Sequence, residues 1–245
     1  MRSITAVTFD LWDTLIQEVP GGSDKVASAR VDGIRSFLEE KGLVHSVEEV
    51  RDAYAKTGEF LNLLWNKNRD MPVRDQVLFL LTSIDSRLTS KLSPPDISAI
   101  EDIYCRGIFA RPPVLLPGAK ELLEAVRFRG LKTALISNTG RTPGSTLRTL
   151  LDSMGILRHF DVTTFSNEIL VRKPSEAAFT FTLDRLRVVP VAAVHVGDDP
   201  VRDVFGARSA GMHAIHVVSN GEAPSELADA HVSSLGEVLE RLDEL

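Results

Sequence analysis

Beyond Arg111-Pro112-Pro113 the chain settles into a regular alternation of short apolar runs and helical patterns. Strand-like runs at 132–136, about 162–165, 192–196 and 213–218 alternate with helix-like stretches at 118–129, 143–154, 175–186 and 200–210. A short run at 230–232 and a helical stretch at 235–242 close the series. Such alternation predicts an α/β fold with a mostly parallel sheet covered by helices on both faces. A further apolar run at 4–9 stands far upstream. Alone it would expose its apolar faces, so it is expected to join the same sheet.

Between them, residues from about 24 to 110 read as helix throughout. Ser46-Val47-Glu48-Glu49 has the form of a capping box, followed by Ala53, Tyr54, Phe60, Leu61, Leu64 and Trp65 at roughly helical spacing. Pro72 opens another helix and Pro94-Pro95-Asp96 a third, while 24–41 makes a fourth. No strand is expected here. The division is therefore a core of residues 1–16 and 111–245 and an all-helical insertion of residues 17–110.

Bulk properties narrow the classes. At 245 residues, 43% hydrophobic and 25% charged, the chain can bury a large core. A net charge of -6 argues against a nucleic-acid surface, which needs clustered Lys and Arg. No apolar stretch reaches membrane-spanning length, and the first residues lack the form of a signal peptide. Cys105 is the only cysteine and lies in a helical pattern, so it reads as apolar filler. A cytoplasmic protein acting on a small molecule is expected, with no nucleic-acid or membrane partner. Nothing in the sequence sets an oligomeric state.

Four segments carry chemistry: Phe9-Asp10-Leu11-Trp12-Asp13-Thr14-Leu15, Ser137-Asn138-Thr139, Arg172-Lys173-Pro174 and Gly197-Asp198-Asp199-Pro200-Val201-Arg202-Asp203. Each follows a strand-like run or opens a helix, and a parallel sheet gathers such strand ends in one crevice. Asp10 is either a nucleophilic carboxylate or a strand-end Asp bonding the next turn. Thr14 can meet a phosphate oxygen or tie the turn; Asp13 reads as a turn residue. Ser137 and Asn138 suit anionic oxygens or an ordinary loop. Lys173, just before a proline that suits a helix's first turn, is unfavourable there unless an anion is near. Arg172 beside it reads as solvated. Asp199 is a good cap before Pro200, and Asp203 suits the first helical turn. Asp198 has no such role. Beside Asp10 it needs a cation, and a hard divalent ion, Mg2+ by preference, suits those oxygens. The six His show no metal-ligand pattern; His195, His213 and His216 read as structural.

In this order the four segments resemble those of the haloacid dehalogenase superfamily, across the whole chain, with further matches at Leu116-Pro117-Gly118 and at residues 206–212. The resemblance implies a Rossmann-like core and a helical cap inserted after the first segment. It implies Asp10 as nucleophile and metal ligand, the Trp12 backbone carbonyl and Asp198 as further Mg2+ ligands, and Thr14, Ser137 and Asn138 at the phosphoryl group. Lys173 would neutralise charge, and Asp199 and Asp203 would act on metal-bound water or orient Lys173. One position departs. The family's phosphatases have an Asp two residues after the nucleophile as acid and base, and Trp12 can do neither, a loss of about 10²–10⁴ in rate.

Three readings follow. A Mg2+-dependent phosphatase working through an aspartyl-phosphate tolerates the loss, because charge stabilisation dominates phosphoryl transfer. A metal-free 2-haloacid dehalogenase, with an aromatic residue in this place, has no need of the acid, yet three carboxylates would repel its substrate. A binding protein with weak catalysis on the same fold is the third. The acids weigh more than the Trp, so the phosphatase leads. Trp65, Phe60, Arg51, Lys56 and Asn66 of the helical insertion read as packing or solvated faces rather than substrate contacts.

Overall fold

A computed structural model describes residues 4–218 and 223–245. Six parallel strands form the central sheet: β1 (Ala6–Phe9), β4 (Lys132–Ser137), β5 (Val162–Phe165), β6 (Ala193–Gly197), β7 (His213–Val217) and β8 (Ala230–Val232). Their order across the sheet is β5-β4-β1-β6-β7-β8. The isolated N-terminal run is therefore the innermost pairing, with Ala6 opposite Lys132 on one side and Ala193 on the other.

All four residues of β1 are buried, as a strand covered on both faces requires. Val7 and Phe9 face a cluster with Leu122, Leu123 and Val126 of α6 (Ala119–Phe128) and Leu147, Leu150 and Leu151 of α7 (Gly144–Ser153). Ala6 packs with Ala178, Phe179 and Leu183 of α8 (Glu176–Leu186) on the opposite face. The expected α/β core with helices on both faces is present.

Five helices lie between β1 and the rest of the sheet: α1 (Gly22–Glu40), α2 (Val47–Trp65), α3 (Val73–Ile84), α4 (Leu88–Lys91) and α5 (Pro94–Arg106). The capping box opens α2, with Ser46 and Glu49 bonding each other's backbone N–H groups. The helices bury a cluster of their own, including Ile34, Leu38, Val50, Leu80, Ile100 and Tyr104. From this separate cluster we infer that residues 17–110 form a unit distinct from 1–16 and 111–245. The joints between the two pair antiparallel as β2 (Ile16–Gln17) and β3 (Val114–Leu115). A second tie was not expected. The turn after α2 lies antiparallel to the chain just before Lys173, with a bridge between Arg69 and Val171. No helix among the described residues is long and apolar enough to cross a membrane.

Candidate active site

The four segments meet at the carboxyl ends of β1, β4 and β6. Asp10 follows β1, Ser137 ends β4, and Asp198 follows β6. The Lys173 ammonium, buried, donates to Asp10 Oδ1 and to Asp203 Oδ1, the latter at 2.5 Å. One oxygen from each of Asp10, Asp198 and Asp203 can be chosen so that all three lie within 4.8 Å of one another.

The fourth segment is shaped to deliver Asp203. Asp199 caps the turn after β6, its Oδ1 accepting from the N–H groups of Val201 and Arg202. Its carbonyl then accepts from both Asp203 and Val204, which widens the turn by one residue. Asp203 thereby folds back beneath Gly197, where a Cβ would lie 2.4 Å from the Asp203 carboxyl carbon. Only glycine fits there.

Two histidines fix this geometry. His195 Nε2 lies 3.1 Å from Asp203 Oδ1, and its Nδ1 lies 2.8 Å from the Thr8 hydroxyl. Burial keeps His195 below its ordinary pKa, despite Asp203. A neutral ring accepting from Thr8 and donating to Asp203 satisfies every partner. His216 Nδ1 accepts from the Ser225 N–H, which leaves Nε2–H to donate to the Asp198 carbonyl at 2.7 Å. Each histidine thus bonds an acidic residue of the cluster, His195 at the Asp203 carboxylate and His216 at the Asp198 main chain.

The remaining residues tie the segments together. The Thr14 hydroxyl donates to Asp198 Oδ1 at 3.1 Å. The Asn138 side chain, expected at the phosphoryl group, spends both ends on the Lys173 main chain. Its Nδ2 donates to the Lys173 carbonyl at 2.9 Å and its Oδ1 accepts from the Lys173 N–H at 2.8 Å. Ser137 Oγ, by contrast, is buried with no hydrogen-bond partner among the described residues. Asp199 is occupied by its capping bonds and by Arg202, so of the two supporting acids only Asp203 holds Lys173. Trp12 and Asp13 line the cavity above Asp10.

Arg172 is a correction. It is buried rather than solvated, and donates to Asp70 Oδ2 at 2.7 Å, with its guanidinium 4.5 Å from the Trp65 ring centroid. Asp70 comes from the turn after α2, and also accepts from Ser166 and Thr139. The sequence offered no signal for Asp70, since nothing local marks a partner a hundred residues away.

Burial, with Asp203 and Asp198 adding to it, pushes the Asp10 carboxyl up to about 8, although Lys173 opposes the shift. Burial and Asp203 push Asp198 up to about 6. Burial also works against charge on Asp203 and Lys173, but Lys173 and His195 outweigh it at Asp203, which is held well below the usual carboxylate range, and Asp10 and Asp203 outweigh it at Lys173, which is raised. One ammonium bonds two of these three acids, Asp10 and Asp203, and Asp10 and Asp198 remain short of positive charge. An all-oxygen donor set with a deficit of cation fits a hard divalent ion such as Mg2+.

Asp10, Asp198 and Asp203 line a cavity of about 550 Å³, which Arg30 and Tyr54 of the helical unit and Arg141 also line. It is large enough for a small metabolite.

Comparison with known proteins places these observations. A family model described as haloacid dehalogenase-like hydrolase matches residues 4–211. The chain is 30% identical to haloacid dehalogenase-like hydrolase domain-containing protein 3 of Mus musculus, over 97% of this chain and 93% of the mouse protein. It is 36% identical to a phosphoserine phosphatase of Thermus thermophilus over 51% of this chain and 49% of that one. Among solved structures, a HAD phosphatase from Thermococcus onnurineus superposes with a TM-score of 0.63 at 26% identity, covering 98% of each chain. A 2-haloacid dehalogenase from Pseudomonas syringae superposes with a TM-score of 0.69 at 23% identity, covering 98% of this chain and 99% of that one, a likeness of fold.

Proposed function

The chain belongs to the haloacid dehalogenase-like hydrolase family, and on that premise we propose that it is a Mg2+-dependent phosphatase of a small phosphorylated molecule. The observation that carries this reading is the meeting of three buried or half-buried acids, Asp10, Asp198 and Asp203, at the carboxyl end of the sheet, with one ammonium bonding Asp10 and Asp203. The similarity to proteins described as phosphatases supports it.

Asp10 attacks phosphorus through a carboxylate oxygen. The new O–P bond forms as the bond from phosphorus to the ester oxygen breaks, and the departing oxygen takes a proton from water. A second water then attacks the aspartyl-phosphate at phosphorus, giving its proton to the hydroxide left by the first step; the Asp10–phosphorus bond breaks, Asp10 returns as a carboxylate, and inorganic phosphate leaves. Lys173 balances charge on Asp10 and on the phosphoryl oxygens, held in place by Asp203 and by the Asn138 clamp on its main chain. The unpartnered Ser137 hydroxyl is available to donate to a phosphoryl oxygen. Thr14 orients Asp198. Asp10, Asp198 and the Trp12 carbonyl would hold Mg2+, which when bound neutralises charge on the transferring group. Because Trp12 supplies no proton, esters with good leaving groups should react fastest.

A metal-free dehalogenase is the second reading, favoured by Trp12 alone. Its carboxylate-bearing substrate would meet a cluster already short of positive charge, and unneutralised buried charge is the larger cost. The test is an aryl phosphate and a 2-chloro acid, each assayed with Mg2+ and with chelator. Chelator-sensitive phosphate release is expected, absent in Asp10→Asn. Chelator-resistant halide release would replace this reading with the second.

A further inference from the structure

Two guanidinium groups that line the cavity, those of Arg30 and Arg141, have no acid to neutralise them. Arg30 of α1 is 4% exposed. Its Nε donates to the Tyr104 carbonyl at 2.7 Å, Nη1 to the Tyr54 hydroxyl at 3.1 Å and Nη2 to the Thr142 hydroxyl at 2.7 Å. Arg141, half-buried on the loop after β4, donates from Nη2 to the Tyr54 carbonyl at 2.8 Å and stacks over the Tyr54 ring at 3.6 Å. No carboxylate of a described residue lies within 4.0 Å of either. Every partner is neutral.

This is unusual charge placement. A buried cation is ordinarily paired, because its desolvation is costly. Arg172, buried on the same cavity, follows the rule with Asp70, and even the exposed Arg202 has an acid, Asp199. The cavity's acids outside the Asp10 cluster, other than Asp199, are Asp13, Glu18 and Asp24, all exposed, where water screens them. Of its five N–H donors, Arg30 spends three on the neutral partners above, which leaves two. The neutral contacts hold the two forks rigid without cancelling their charge, which is the arrangement a bound oxyanion requires.

We propose that Arg30 and Arg141 bind a second anionic group of the substrate, a carboxylate or a second phosphate, at the end remote from the phosphoryl group that Asp10 attacks. The inference rests on the phosphatase reading for the reacting end and adds the class of substrate: phosphomonoesters of acids, or bisphosphates, over phosphomonoesters of neutral alcohols. Arg30 comes from the helical unit and Arg141 from the core, so such a substrate spans both.

Three matched esters test it: propyl phosphate, 3-(phosphonooxy)propanoate and 1,3-propanediol bisphosphate, with Mg2+ present. Binding to Asp10→Asn protein by calorimetry and kcat/KM of the unaltered protein are both read. The two esters with a second anionic group should bind about 10-fold or more tightly than propyl phosphate, as charged hydrogen bonds imply. Which of the two is tighter identifies carboxylate or phosphate. Arg141→Met in the Asp10→Asn background should bring the ratio close to one, and Arg30→Gln serves as a second variant where it folds. Equal affinities, a ratio unmoved by Arg141→Met, or no binding of any ester overturns the proposal. Selective binding with no turnover of any phosphate ester by the unaltered protein would remove the phosphatase reading and leave the anion site standing.

Discussion

At the scale of single residues, the site depends on one missing side chain. Asp203 reaches Lys173 because Gly197 leaves room beneath the turn. Gly197→Ala puts a methyl group inside the Asp203 carboxyl and must push it, and with it Lys173, out of place. A displacement near 1 Å can cost about 10²-fold in rate, and overpacking about 1–3 kcal/mol in stability. Steady-state phosphate release and urea denaturation should show both losses; an active, equally stable Gly197→Ala protein would contradict the packing described. Asp10, Lys173 and Asp198 were singled out in the sequence because the segments carrying them, each weak alone, occur together in the order a known family has. The work of His195 and His216 was not. Their bonds to Asp203 and to the Asp198 carbonyl arise across strands, and no local spacing marks them. Asn138 was legible as a residue of the site, but its clamp on Lys173 depends on a loop 35 residues away.

At the scale of elements, the alternating pattern after residue 111 located the strands of the sheet, and helical periodicity with its caps located the insertion. Elements of two residues, β2 and β3, have no period to detect and escaped. The widened turn at residues 200–205 escaped too, since its cause is the Asp199 carbonyl accepting twice. Within the helical unit, Tyr104 of α5 is fully buried, its hydroxyl donating to Gln76 Oε1 at 3.1 Å. Burial pushes it up to about 12 from an ordinary 10.0, with Arg141 and Arg30 opposing. Between those values the unfolded chain releases the phenolic proton and the folded chain retains it, so stability must fall as pH rises above about 10. Tyr104→Phe should lack that component. Urea midpoints at pH 9 and pH 11 check it: the drop between them should be smaller in the variant, and an equal drop would place the alkaline instability elsewhere.

At the scale of the whole molecule, the helical unit meets the core at more places than the β2–β3 joint. Asp70 and Arg172 form a buried ion pair between the two, beside the segment that delivers Lys173. Removing one partner of such a pair costs about 3–5 kcal/mol, because the other is left buried and charged. Asp70→Asn and Arg172→Met should therefore each destabilise, while the double variant should be less impaired than the sum of the two. A double-mutant cycle by chemical denaturation measures the coupling; additive losses would mean the pair is not coupled. The central position of β1 has a further result for assembly. β1 is made long before either neighbour: β4 follows only after the whole helical insertion, at Lys132, and β6 only at Ala193. The helices in between can meanwhile bury their own cluster from local contacts, so pulsed hydrogen exchange should find the amides of α1, α2 and α3 protected before those of β1. A nascent chain halted short of β6 would then hold a finished bundle beside a half-built sheet.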